Sequence, residues 1–161
     1  MIAEELTDNV IDLKGHDLVV VPLGHTDTDD TTCLHVPSIG LVVAGDAAYN
    51  GVHQWLAESN PQTRRAWIAA LDTIESLNPR AVIAGHKRPG NDDSPKILAE
   101  TRQYIRDFDR VAQTPTTARG LYDKMLERYP ERLNPGLALW ISARGQTVRH
   151  PTKTGALLCV P

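Results

Sequence analysis

Apolar residues along the chain fall into short runs closed by a turn former: Leu18-Val19-Val20-Val21-Pro22-Leu23-Gly24, Leu41-Val42-Val43-Ala44-Gly45 and Ala81-Val82-Ile83-Ala84-Gly85. These runs are rich in β-branched residues and lack clean alternation, which predicts strands covered on both faces. Thr31 to Val36 alternates instead and reads as a strand, Pro37-Ser38-Ile39-Gly40 as a tight turn, and Leu41 to Gly45 as the returning arm of an antiparallel hairpin. Strand parity puts Cys33 and His35 on one face, read here as facing the surface. A further short strand is expected at Val10 to Leu13, before a turn at Lys14-Gly15.

Helical signals dominate after residue 60. The stretch from Ala47 to Asn60 reads as a loop with one helical turn around His53 to Glu58. Asn60 then caps a helix whose first position is Pro61, with Trp67, Leu71 and Ile74 at helical spacing. Asn78-Pro79 stops it, and Arg80 to Gly85 follows as a parallel strand, so a β-hairpin leads into a β-α-β crossover. Ser94-Pro95 starts the longest helix, to about Ala112, which Thr114-Pro115 interrupts. After Thr116 an amphipathic helix carries Leu121, Tyr122, Met125, Leu126 and Tyr129, and Asn134-Pro135 opens a last helix with Leu139, Trp140 and Ile141. The expected class is α/β (α+β): one mixed sheet covered by helices. The 145–161 tail, polar and then apolar at Ala156 to Val160, has no assigned place, and its His150 no assigned role.

Composition narrows the reading. The 161 residues, 41% hydrophobic, suit one domain with a sizeable core. A net charge of -3 speaks against a nucleic-acid partner or an anionic membrane surface. No apolar run approaches the roughly 20 residues that span a bilayer, and Met1 to Glu5 lacks the pattern of a signal peptide, so a cytoplasmic protein is expected. Cys33 and Cys159, far apart and in no CxxC pair, suggest neither a disulfide framework nor a thiolate zinc site.

The chemistry lies where the apolar runs end. Each closes in glycine and then delivers one polar residue: His25, Asp46 and His86. Glycine lets the backbone turn sharply there and lets another group approach closely. Two imidazoles and a carboxylate at one sheet edge make a set of metal ligands.

Three motifs, Gly24-His25-Thr26-Asp27-Thr28-Asp29-Asp30-Thr31-Thr32, Val43-Ala44-Gly45-Asp46 and Ala84-Gly85-His86, occur in an order and at a spacing that resembles the C-terminal half of the metallo-β-lactamase superfamily. The resemblance implies half of a four-layer αββα sandwich, in which two metal ions, usually zinc, sit where two similar halves meet. It implies that His25 ligates the first metal and His86 the second, while Asp46 bridges them and is the catalytic carboxylate. The family's His-x-His-x-Asp-His motif, which belongs to the N-terminal half, does not occur here, and His16-Asp17 cannot stand in for it. The expected organisation is a half domain over residues 1–144 and a tail over 145–161. Each metal then sees two protein ligands from one chain, where a catalytic zinc takes three, so the expected zinc site is weak or partial and the isolated monomer inactive.

Neighbouring residues keep two readings each. Asp27 shares a face with His25 if the strand continues, as an extra ligand or an orienting partner; it also suits an Asx-turn acceptor, the preferred reading. Tyr49 and His53 follow Asp46 on a loop that borders the substrate cleft in the family. Lys87 and Arg88 either attract an anionic substrate or form a solvated surface.

A sheet that needs cover on both faces, with helices enough for one, leaves an apolar surface of the kind that marks interfaces. A two-fold homodimer through that face is expected; the alternative is that the C-terminal helices fold back over it. The resemblance implies a zinc-dependent hydrolase in which metal-bound hydroxide attacks an ester, thioester, lactone or lactam of a small-molecule substrate. The alternative is a non-catalytic scaffold or dimerising fragment without turnover. A nucleic-acid hydrolase fits the acidic balance poorly.

Overall fold

The computed structural model describes residue 6, residues 8–114 and residues 117–149. The expectations for Met1 to Glu5, Pro115, Thr116, His150, Cys159 and the 156–160 run lie outside these residues. Five strands form one sheet in sequence order: β1 (Val10–Leu13), β2 (His16–Gly24), β3 (Thr31–Val36), β4 (Leu41–Asn50) and β5 (Ala81–Lys87). Neighbours from β1 to β4 pair antiparallel, and β4 pairs parallel to β5, with Val42 opposite Val82. The mixed sheet with its helices is the α+β architecture expected from the sequence.

Glycines shape the strand ends. Gly24 and Gly45 have φ of 72° and 55°, values that residues with a Cβ adopt only at a cost. At both places the pairing register slips, which re-aims the chain just before His25 and Asp46. β4 does not end at Gly45, as the glycine suggests, but continues to Asn50, where Tyr49 faces His86 across the ladder. The stretch at 53–58 forms no helix: after a bridge from Val52 to Leu133 it runs irregularly to a turn at 57–58, where the Ser59 amide donates to the Leu56 carbonyl.

Four helices follow: α1 (Pro61–Ser76), α2 (Lys96–Ala112), α3 (Ala118–Arg128) and α4 (Trp140–Arg149). Asn60 caps α1 as expected, accepting from the amides of Gln62 and Thr63 while the Thr63 hydroxyl answers to the Asn60 amide. Such a box is worth about 1 kcal/mol. Asn134-Pro135 leads first into a π turn over Pro135–Leu139 and only then into α4, which runs past residue 144. Gln146 in that helix is buried and donates to the Ser59 carbonyl.

The core lies between the helices and one face of the sheet. Val42, Val82, Trp67, Leu71, Ile74, Ile105 and Phe108 have no exposed surface. Cys33 belongs to this face and is 3% exposed, which corrects the expected surface position: Cys33 pairs with Val21 and shares parity with His35, itself opposite Val42. Burial pushes the Cys33 thiol up to about 11, so it is unreactive at neutral pH.

The sequence pattern predicts cover on both sheet faces, and among the described residues the helices cover one. Val20, Leu34, Val43 and Ile83 are register partners across β2 to β5 and share the other face. Val20, Leu34 and Val43 are half-buried, and Ile83 is 37% exposed. α3 and α4 pack on each other, and α3 packs on α2. Among the described residues no helix is long and apolar enough to cross a membrane.

Candidate functional site

Asp46, just past the register slip at Gly45 within β4, and His86, near the end of β5, meet with His86 Nε2 3.4 Å from Asp46 Oδ1 and both side chains about half exposed. Gly85 permits this approach, because a Cβ there would overlap Asp46 Oδ1 and stand 2.8 Å from the Gly45 carbonyl carbon. Tyr49 stacks on the His86 ring, with centroids 5.5 Å apart and planes at 24°. Burial first, then the nearby Asp46 and Asp27 carboxylates, push the Tyr49 hydroxyl upward, so it stays protonated.

These residues line a cleft of about 380 Å³. Asp27, Asp46, Tyr49, His53 and His86, all singled out from sequence, stand around it, and Lys87 joins them. Its apolar wall comes from Val52, Trp55, Leu137 and Ala138, and Asn134 completes it. The wall escapes sequence reading because it is assembled from the irregular 52–55 segment and the π turn, far apart in the chain. Asn134, with φ of 62° just before that turn, is the one local signal: asparagine tolerates this conformation, and π turns recur at functional sites.

His25 follows the end of β2. It is not among the residues lining the cleft, and it forms no three-donor group with Asp46 and His86 among the described residues. Its Nδ1 lies 2.6 Å from Asp29 Oδ1. A carboxylate only accepts, so in the neutral ring the proton is on Nδ1 and the lone pair on Nε2. That Nε2 is buried and has no partner. Asp29, not Asp27, thus orients His25; Asp27 accepts from the Thr26 hydroxyl at 3.0 Å and faces the cleft. The clue was i,i+4 spacing, which a turn can close as well as a helix.

The basic pair divides too. Lys87 donates to Asp93 at 2.7 Å, and Arg88 donates to the Glu131 carbonyl at 2.9 Å. Both charges are therefore engaged within the chain.

These donors fit a metal in kind: an imidazole facing a carboxylate, and a second imidazole whose buried lone pair is free and whose other nitrogen is held by an acid, the usual support for a ligating histidine. They fall short in number. Among the described residues no three of His, Cys, Asp and Glu stand close enough to hold one ion.

Comparison with known proteins agrees with the fold. A metallo-beta-lactamase family protein from Thermus thermophilus is similar over 90% of this chain and 48% of its own, with 21% identity and a TM-score of 0.58. A beta-lactamase domain protein from Burkholderia ambifaria is similar over 92% and 47%, with 16% identity and a TM-score of 0.56. A metallo-beta-lactamase from Pontibacter korlensis is similar over 63% and 46%, with 18% identity and a TM-score of 0.50. At these identities the likeness is one of fold, and the chain spans about half the length of the solved structures it matches. No curated protein matches. The family profile described as Metallo-beta-lactamase superfamily matches residues 4–86, slightly more than half of the chain and a span that holds His25, Asp46 and His86. On that match, the chain belongs to the metallo-beta-lactamase superfamily.

Proposed function

We propose that this chain supplies one half of a metal-dependent hydrolase site and that a second copy, packed on the open sheet face, completes it. The observation that carries the proposal is the meeting of Asp46 and His86 at 3.4 Å on the rim of a cleft, in a superfamily of hydrolase type. Asp46 and His86 hold zinc weakly in the single chain, and His25, oriented by Asp29, contributes once the site is complete. A zinc held there supplies Lewis acidity to the carbonyl of an ester, thioester, lactone or lactam. Tyr49 holds His86 in place by stacking, and the apolar wall of the cleft seats the rest of the substrate. The open face supports the second copy, since Val20, Leu34, Val43 and Ile83 form an apolar row with no cover from the chain's own described residues.

A second reading, a scaffold without turnover, is favoured by one observation: no three-donor group exists among the described residues. Zinc titration by calorimetry, light scattering after gel filtration, and hydrolysis of ester and lactam reporters with added zinc separate the two. The hydrolase reading expects a dimer that binds zinc, with binding lost in His86→Ala and Asp46→Ala. A monomer that binds no zinc and turns over no reporter leaves the scaffold reading in its place.

A further inference from the structure

β4 outruns its antiparallel neighbour. β3 pairs with it only as far as Val43, while β4 continues beside β5 to Asn50. Past Val43, the edge of β4 that faced β3 has no strand to bond. Along a strand, the amide and carbonyl of every second residue point to the same edge. The β5 side takes Asn50, whose carbonyl accepts from the Arg88 amide at 2.7 Å, so Ala47 and Tyr49 turn their backbone groups to the open edge. Buried backbone groups need partners, and two helices supply them. The Trp67 indole on α1 donates to the Ala47 carbonyl at 2.8 Å. The Thr101 hydroxyl on α2 accepts from the Tyr49 amide at 3.1 Å and donates to the Tyr49 carbonyl at 3.2 Å.

A hydroxyl can close both bonds because it donates and accepts at once. A threonine inside a helix often returns its hydroxyl to a carbonyl of its own helix, but Thr101, which has no exposed surface, reaches across to the strand. These bonds fix the backbone beneath the Tyr49 ring. That ring is buried, lies 6.2 Å from the Trp67 ring and stacks on His86 at 5.5 Å. The His86 side chain is 58% exposed and leans on Tyr49 and Asp46. A ring so open to water takes its orientation from the few groups that touch it.

We propose that Thr101 is a positioning residue: it fixes Tyr49 and, through the stacked Tyr49 ring, sets the plane of His86. Asp46 is tied down by other means, against the β5 backbone at Gly85 and next to the Ala47 carbonyl that Trp67 holds. Thr101 therefore acts on the imidazole of the pair and not on the carboxylate. The inference rests on the reading of His86 as a zinc ligand, but the contacts that run from Thr101 to His86 belong to the metal-free chain and can be tested there.

The test reads the His86 ring protons by NMR in chelator-treated protein at alkaline pH, where imidazoles are neutral. The ring current of Tyr49 displaces these signals, and Tyr49→Leu, which has no aromatic ring, marks their unstacked position. Thr101→Val keeps the size of the side chain without the hydroxyl, and should move the His86 signals from the wild-type position toward that of Tyr49→Leu. Thr101→Ser restores the hydroxyl and should hold them at the wild-type position, a rescue that general loss of stability does not give. Zinc titration of the same proteins should find Thr101→Val about 10-fold weaker, the lower end for groups that orient a ligating histidine, and Thr101→Ser close to wild type. If Thr101→Val does not fold, Thr101→Cys, with a weak donor and acceptor in the same place, carries the comparison. Unmoved His86 signals in the folded variant, no recovery in Thr101→Ser, or undiminished zinc affinity in a variant whose His86 has moved overturns the proposal. A wild-type protein that binds no zinc overturns the hydrolase reading instead, and the His86 spectra then decide on Thr101 alone.

Discussion

The Oδ1 of Asp46 fills the space that a Cβ on Gly85 would need. Asp46 follows the register slip at Gly45 within β4, and its side chain lies against the backbone of β5, beside His86. In Gly85→Ala the methyl group meets Asp46 Oδ1 on one side and the Gly45 and Asp46 backbone on the other. The carboxylate can turn away, but the backbone cannot. The variant should lose about 1–3 kcal/mol of stability in denaturant titrations, with weaker zinc binding because Asp46 no longer meets His86. Unchanged zinc affinity in Gly85→Ala counts against a ligand role for Asp46.

Much of this was legible because local chemistry and tertiary structure agree. The Thr31–Val36 strand, the Asn60 cap and the parallel return of β5 follow from alternation, capping and turn residues, and the structure has each of them. What escaped depends on distant partners. Ala47-Ala48-Tyr49-Asn50 has little strand character, yet it extends β4 because the Tyr49 amide and carbonyl both bond the Thr101 hydroxyl on α2, while Tyr49 pairs with His86. Among Asp27, Asp29 and Asp30, parity alone could not reveal that Asp29 bends back to His25. Apolar runs also looked alike whether the described residues cover one face or both, since an open face and a packed face have the same composition.

The buried His53 sets an acid limit. Its folded value of about 4 lies below the ordinary 6.5, so the unfolded chain takes up the proton first as the pH falls. Stability from this group is full above 6.5 and is lost as the pH drops toward 4. The loss amounts to about 3 kcal/mol, taking 1.36 kcal/mol per unit. Urea unfolding at several pH values should show this slope in the wild-type protein and a flatter profile in His53→Asn.

Asp107 acts lower on the scale. Burial alone raises its carboxyl, but hydrogen bonds from Tyr129, Gln103 and Arg128, with the Arg128 charge, outweigh that and hold it below 3.8. The Arg128 Nε and Tyr129 Oη contacts are 2.7 and 2.6 Å. A depressed acid stabilises the fold above its ordinary value, and that stability fades as the pH falls below 3.8 through the folded value. Asp107→Asn should cost about 1–3 kcal/mol at neutral pH and remove that part of the acid transition, as thermal melts from neutral to acidic pH would reveal.

Arg64 ties the helical layer together. It is 1% exposed and lies over the Phe108 ring, with Nε 2.6 Å from Asp109, one terminal nitrogen on Ser59 and the other on Gln146 of α4. Removing one side of a buried charge pair leaves the rest unpaired, typically at about 3–5 kcal/mol. Arg64→Ala should fall in that range, and Arg64→Lys should recover little because an ammonium cannot reproduce the three-way fork. Hydrogen exchange should show α4 loosening first in Arg64→Lys, since Gln146 is the partner of Arg64 on that helix.

The open sheet face gives the sharpest test of the second copy. Ile83 sits in the row with Val43, Leu34 and Val20, and at 37% exposure a polar side chain at this position can reach water in the single chain. In a dimer packed through the row, the same side chain is sealed between two apolar surfaces. Glutamate at 83 therefore costs little in a monomer but strongly opposes association, because two like charges lose their water together. Light scattering should find the wild-type protein dimeric at micromolar concentration and Ile83→Glu monomeric, with an unchanged circular dichroism spectrum. Zinc affinity then separates structure from chemistry: if the second copy completes the site, Ile83→Glu loses tight zinc binding although Asp46 and His86 are untouched. A wild-type protein that stays monomeric removes the dimer from the proposal, and zinc binding that survives in monomeric Ile83→Glu shows that one chain suffices.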